Sequence, residues 1–304
     1  MSGGKRPLWI FTGVFLIMCS LVVVSLPNAL PVAVCLPAIY CIFSERFTSL
    51  HPLGVAALPL VLMVAPQFFT GGLIYASLLV CGIMMCRFVR TGHPTLAVSA
   101  PSAFILALLA INIMVHAAHR GVGPGEIINV WVGKMLSEAA GMYEGVMSAG
   151  NLQEFKMNLP ALKLRIVTVF PAMVGSTVVF CMWINLLIIS RSKNGLNLMQ
   201  WRCPDWVVAF FILAGVCTLL PYATLRAAGL NLLIMIIQIY FFQGIAIVSF
   251  FMAEHSWVRF VRWTIYILIV TQVYIMITVS TIGLFDTWFN FRERIRNAPK
   301  GEEQ

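Results

Sequence analysis

Seven stretches of this 304-residue chain contain no Asp, Glu, Lys or Arg: Pro7 to Ser44, Phe47 to Cys86, Thr91 to His119, Ile166 to Ser190, Trp206 to Leu225, Ala227 to Ala253 and Trp263 to Phe285. Each reaches the ~20 residues with which a helix crosses a ~30 Å hydrocarbon layer. A soluble fold could not hide so much apolar surface: 60% of the residues are hydrophobic and 10% charged, against ~45–50% and ~25% in an ordinary soluble domain. The partner expected first is therefore the lipid bilayer, and the fold class is all-α, a polytopic transmembrane helical bundle.

A formal net charge of +9 would point to nucleic acid in a soluble chain. Here most Lys and Arg lie in the gaps between apolar runs or at the two ends, which is the positive-inside pattern, and no nucleic-acid partner is expected. Lys5-Arg6 ahead of the first run reads as the start of an uncleaved span, because about twenty apolar residues and then more apolar sequence follow.

The first two runs are each about 60 Å long if helical, roughly twice the bilayer core, so both must turn back. Pro27 and Asn28 mark one turn and the stretch from Pro66 to Gly72 the other. Spans follow near Leu8 to Leu26, Ala29 to Phe43, Pro52 to Ala65, Phe69 to Cys86, Val98 to His119, Ile166 to Ser190, Trp206 to Leu225, Leu230 to Ala253 and Trp263 to Phe285. The expectation is about eight to nine membrane segments, falling to seven if neither of the short second and third segments, interrupted by Pro31, Pro37 and Pro59, crosses.

The chain reads as a single membrane domain, 1–304: N-terminal helices at 7–119, an extramembrane segment at 120–165, C-terminal helices at 166–290 and a basic tail at 291–304. In the extramembrane segment Ile128, Trp131, Met135, Ala139, Met142 and Val146 recur at spacings of three and four, which describes an amphipathic helix on the membrane surface or capping the bundle. With nine crossings the basic loops near Arg46, Arg87 to Arg90, Arg191 to Arg202 and Arg259 to Arg262 share the side of Lys5-Arg6. The same count puts Arg292, Arg294, Arg296 and Lys300 on the opposite side, against the charge rule.

No enzyme is expected. The chain has no His-Glu-x-x-His helix, no Gly-x-Ser-x-Gly turn and no paired intramembrane aspartates, so a metal-held water, an activated hydroxyl and a carboxylate pair are all missing. It also lacks a Gly-x-x-x-x-Gly-Lys-Ser/Thr loop for ATP. Catalytic residues, cofactors and metal ligands are accordingly read as none. The eight cysteines read as small core residues, and His116 with His119 as an interfacial pair.

Asp205, Arg226 and Asp286 fall at span ends, leaving no acid or base at mid-membrane for ion coupling. The polar groups left inside are neutral: Asn112 and His116 in the fifth span, Asn185 in the sixth, Asn231, Gln238 and Gln243 in the eighth, and Thr271, Gln272, Tyr274 and Thr278 in the ninth. Amides in hydrocarbon must find partners, so they either bond helix to helix or line a pocket. As a candidate ligand-facing set we take Asn112, His116, Asn185, Gln238, Gln243, Thr271 and Gln272. Asp205 suits the N-cap of the helix opening at Trp206, and Trp201, Trp206, Trp257, Trp263 and Trp288 suit an interfacial belt.

The order Leu159-Pro160-Ala161-Leu162, Asn185, Trp201-Arg202-Cys203-Pro204-Asp205-Trp206, Tyr240-Phe241-Phe242-Gln243-Gly244, Val248-Ser249-Phe250-Phe251 and Gly283-Leu284-Phe285-Asp286-Thr287-Trp288-Phe289 resembles the YybS-like family of bacterial multi-pass membrane proteins of unknown function. The resemblance covers Leu152 to Arg294 and implies a location in the bacterial inner membrane. That family is in turn distantly similar to the substrate-binding components of energy-coupling-factor transporters, which borrow an ATPase module and dock to it through small residues four apart. Ala29 with Ala33, Gly72 with Ala76 and Ala103 with Ala107 have that spacing here.

Two functions are expected to compete: a transport-related, solute-binding membrane subunit that takes a small polar solute and relies on an energising ATPase partner, and a structural or assembly protein whose amphipathic segment and basic loops bind partner proteins.

Overall fold

The computed structural model describes residues 8–25, 28–46, 52–143, 148–192 and 196–297, and among these it is all-helical. In chain order the helices are α1 (Leu8–Val24), α2 (Leu30–Arg46), α3 (Pro52–Ala57), α4 (Phe69–Arg90), α5 (Pro94–Arg120), α6 (Pro124–Tyr143), α7 (Ala149–Ser192), α8 (Val207–Leu219), α9 (Ala223–Glu254), α10 (Arg259–Thr271), α11 (Val273–Phe289) and α12 (Phe291–Asn297). Tighter 3₁₀ turns at Leu58–Val64 and Pro66–Phe68 join α3 to α4.

Four stretches among the described residues are long and apolar enough to cross a membrane: Pro66–Arg90, Pro94–Arg120, Gly150–Ser192 and Ala223–Glu254. A fifth crossing results if α10 and α11, bent by 101°, count as one span. This is fewer than the eight to nine expected. The segments read as the first, second, third and seventh spans are shorter apolar helices, Phe11–Val24, Leu30–Glu45, Pro52–Val64 and Val207–Leu219. At ~1.5 Å per residue the 13 residues of α8 reach about 20 Å, short of the ~30 Å hydrocarbon core.

The chain divides into two compact units, Met1–Leu108 with Thr177–Leu196 and Leu109–Ser176 with Asn197–Gln304, and α5 and α7 each pass from one unit to the other. In the first unit α1, α2, α3 and α4 close around Cys19, Val22, Leu36, Tyr40, Ala56 and Tyr75. Phe15 and Phe43 stack with centroids 4.1 Å apart. The Tyr75 hydroxyl donates to the Ala56 carbonyl at 2.5 Å, tying α4 to the short α3. A methyl group at Gly71 would strike the Val23 carbonyl and one at Gly82 would press on Pro37 and Tyr40, so α4 uses missing side chains to approach α1 and α2 closely. Gly82 meeting Pro37 and Tyr40 while Cys86 meets Ser44 makes α2 and α4 parallel.

In the second unit α9 is the central helix, packed against α8 and α11. Gly229 leaves room for the Ala214 carbonyl of α8. Gly244 of α9 faces the Val279 carbonyl of α11, and Gly283 of α11 faces the Tyr240 carbonyl of α9. Both glycines belong to the sequence patterns quoted above. Here they set backbone against backbone, the geometry that dispersion between small residues favours in lipid.

Several local expectations change. The amphipathic pattern at 120–165 resolves into α6 and the first turns of the 44-residue α7, which runs through Pro160 and Pro171 without ending. On α6 the buried residues are Ile127, Val132 and Ala140, whereas Trp131, Met135 and Met142 of the predicted apolar stripe are exposed on the chain; Val146 lies outside the described residues. The expected ninth span breaks at Gln272 into α10 and α11. Asp205 makes no side-chain cap on α8, whose N-cap is Trp206. Of the expected tryptophan belt, Trp201 is instead buried, while Trp206, Trp263 and Trp288 are exposed.

Candidate functional site

The predicted polar residues have different surroundings, and the two fully buried ones, Asn185 and Gln243, bond protein groups. Asn185, 0% exposed, accepts from the Ala38 N–H at 2.9 Å and donates to the Val34 carbonyl at 2.8 Å. Ala38 and Val34 are the N–H and C=O of one helical rung, and Pro37 lies inside it. Proline distorts the turn preceding it, and the Asn185 amide fills both halves of the adjacent rung. The same device recurs in the second unit around Pro171. Asn231 accepts from the Ala172 N–H at 2.8 Å and donates to the Thr168 carbonyl at 2.7 Å. These are helix clamps that satisfy backbone groups lipid could not.

Gln238 donates to the Ser176 carbonyl at 2.8 Å. Gln243 is buried in a polar network gathered from the Trp201–Trp206 segment, α9, α11 and α12. Its carbonyl accepts from the Cys203 N–H at 3.0 Å and its amide donates to Asp286 Oδ2 at 3.1 Å. Asp286, expected at a span end, is instead 1% exposed. It also accepts from Arg292 Nη1 at 3.1 Å and from the Phe291 N–H at 2.9 Å. Arg292 Nη2 closes the loop on the Trp201 carbonyl at 2.9 Å. Arg202 stands 3.9 Å from the same carboxylate and donates to Asn290 Oδ1 at 2.6 Å. Asn290 ends α11 in the left-handed region, φ 47°, a conformation asparagine tolerates better than most residues.

Burial lowers the Arg292 pKa from its ordinary value and the adjacent carboxylate opposes that. Burial likewise pushes the Cys203 thiol up to about 12, so it sits there as a neutral packing group. Every member of this network that carries charge has an opposite charge or a backbone group against it, which is the condition for keeping ions buried.

The remaining predicted residues sit on surfaces of the second unit. Asn112 and His116 are exposed on α5. Thr271 and Gln272 are exposed at the break between α10 and α11, where the Thr271 hydroxyl donates to the Ile267 carbonyl of its own helix at 2.8 Å.

A different constellation lies at the C-terminal ends of the parallel pair α2 and α4, and the sequence reading missed it. Cys41 and Glu45 are four apart on α2 and therefore on one face. Cys86 comes from α4. One ligand atom from each, two thiol sulfurs and a carboxylate oxygen, all lie within 4.8 Å of one another. Both cysteines are buried and unbridged. The Ser44 hydroxyl is 3.3 Å from the Cys86 sulfur and donates to the Cys41 carbonyl at 2.9 Å. Arg90 reaches back to donate to that hydroxyl at 3.3 Å. Beside them opens a cavity of about 570 Å³ lined by Tyr40, Ser44, Cys86, Arg87, Arg90 and Thr91 among others. That size suits a small ligand. With Cys86, Ser44, Arg87 and Arg90 among its lining residues the cavity has chemistry suited to an anion or a soft cation, and none of them is at the centre of a span.

A family model described as predicted membrane protein (DUF2232) matches residues 12–287. No curated protein and no solved structure matches the chain.

Proposed function

This chain belongs to the DUF2232 family of predicted membrane proteins, and from that premise we propose that it is a non-enzymic, transport-related subunit of the bacterial inner membrane. It binds a small solute and draws energy from a partner ATPase. The observation that carries the reading is the cavity at the ends of α2 and α4, with Ser44, Cys86 and Arg90 at its wall. Multi-pass location follows from the apolar helices. The eight-to-nine-segment count is part of the reading, and it requires the bilayer to thin, or flanking side chains to snorkel, around the shorter helices. The resemblance to the YybS-like family and, through it, to energy-coupling-factor binding components supports the reading as analogy of fold.

The interior amides enter this reading differently from the expectation. Asn185 and Gln243 bond protein groups on both the donor and the acceptor side, and in this reading the solute binds at the helix ends and not among them. Native mass spectrometry of the protein released from its own membranes tests this. A bound small species is expected in the wild-type protein and is depleted in the Arg90→Ala variant. A wild-type protein that carries nothing and gains no thermal stability from any ion or metabolite extract overturns it.

A second reading, a membrane assembly protein, is favoured by two exposed apolar surfaces. These are Trp131, Met135 and Met142 on α6, and α5, of whose most apolar stretch 17% is buried within the chain. It predicts a stoichiometric protein partner in native membranes. A monomer recovered after mild crosslinking of intact cells counts against it.

A further inference from the structure

We propose that Cys41, Glu45 and Cys86 form an exchangeable binding site for a zinc-like divalent cation, with its open coordination position facing the α2–α4 cavity. The inference rests on reading that cavity as a ligand site, and it names the class of ligand.

The donor set selects the ion. Two thiols and a carboxylate offer the sulfur and oxygen ligands that zinc accepts, whereas calcium and magnesium require oxygen alone and copper(I) prefers sulfur without carboxylate. Spacing is compatible: a tetrahedral zinc with bonds of about 2.0–2.3 Å holds its donor atoms ~3.3–3.8 Å apart, and the three atoms here already lie within 4.8 Å of one another. Small rotations of three side chains close the difference. The i, i+4 placement of Cys41 and Glu45 on α2 fixes two donors to one rigid element, and the parallel α4 delivers the third.

Charge and protons balance within the site. Binding breaks the two S–H bonds and forms two metal–sulfur bonds, and the two protons leave to water through the cavity mouth. Two thiolates, one carboxylate and a divalent cation sum to −1, and the Arg90 guanidinium beside the site returns the cluster to neutrality. Arg90 acts at one remove, through the Ser44 hydroxyl that stands 3.3 Å from the Cys86 sulfur, the kind of supporting bond that orients a ligand and tunes its basicity. Three protein donors with a fourth position open to a cavity leave an entry and exit path, as exchange of the ion requires and a closed four-ligand structural site does not provide.

The test uses full-length protein in detergent, stripped with chelator and titrated with zinc alone. Cobalt(II) serves in parallel as a spectroscopic reporter of thiolate ligation. One zinc per chain is expected, with thiolate-to-cobalt charge-transfer absorption. Cys41→Ser and Cys86→Ser should each lose stoichiometric binding, Glu45→Gln should weaken it, and Arg90→Ala should weaken it by about 10–100-fold. Cys217→Ser, which alters a cysteine far along the chain in α8, should bind as the wild type does. Size-exclusion profiles of the stripped variants separate loss of the site from loss of the fold; a well-folded Cys86→Ser that still binds one zinc overturns the proposal. Protein that binds no zinc yet retains another small molecule in the cavity also overturns it while leaving the solute-binding reading standing. Protein that binds neither overturns both.

Discussion

Two regions of the molecule gather similar chemistry and treat it in opposite ways. The Asp286 network in the second unit and the Cys41–Cys86 cluster in the first both combine sulfur, a carboxylate and arginine. Around Asp286 the groups lock onto one another and onto the Cys203, Phe291 and Trp201 backbone, leaving the carboxylate 1% exposed. At the ends of α2 and α4, Cys86 and Ser44 are among the residues that line a cavity. A polar group in a membrane protein is explained as structure when protein groups meet its hydrogen-bonding needs, and becomes a ligand candidate where space adjoins it.

The contrast can be broken most forcefully at Asp286. Asp286→Ala leaves Arg292 buried beside an empty place and should destabilise the protein by ~3–5 kcal/mol, read as unfolding in a detergent titration. Replacing both charges at once, as in Asp286→Leu with Arg292→Met, should restore much of that loss; if the double variant is as unstable as the single one, the pair is not a self-contained structural ion pair. Next in size is Gly283→Ala, whose methyl group would meet the Tyr240 carbonyl. Forcing α9 and α11 apart should cost about 1–3 kcal/mol, and a neutral outcome would mean the helices are not in backbone contact.

A smaller effect sharpens the account of the amides. Asn185→Leu should cost on the order of 1 kcal/mol, and the loss should shrink when Pro37→Ala restores the regular helix that Asn185 now clamps. Equal losses in both backgrounds would show that Asn185 does something other than support the proline turn. Smallest of all, Arg90→Ala should change stability by less than ~1 kcal/mol because the side chain is exposed. Its consequence should appear in bound ligand, the reverse of the pattern at Arg292.

The sequence made the membrane-helical nature of the chain legible, because charge-free runs of this length have no other solution. It also located the proline interruptions in α2 and near Pro59. It did not reveal how they are repaired, since Asn185 lies almost 150 residues from Pro37 and nothing local links them. The larger span count depends on α1, α2, α8 and the Pro52–Val64 stretch, which are apolar but shorter than the charge-free runs suggested. The break at Gln272 falls between Thr271 and Val273 with no glycine or proline to announce it. Asp286 closes a charge-free run and so reads as a solvated end, yet the turn at Asn290 folds Arg292 back onto it. Cys41 and Glu45 were readable as an i, i+4 pair, but Cys86 joins them only because α3 and its 3₁₀ turns return the chain parallel to α2.

The most direct test of the central contrast is an experimental density map of the protein purified with its native lipids. Density is expected in the α2–α4 cavity within bonding reach of Cys86 and Ser44, and none beside Asn185, Gln238 or Gln243. An empty cavity together with a ligand held among those amides would contradict it.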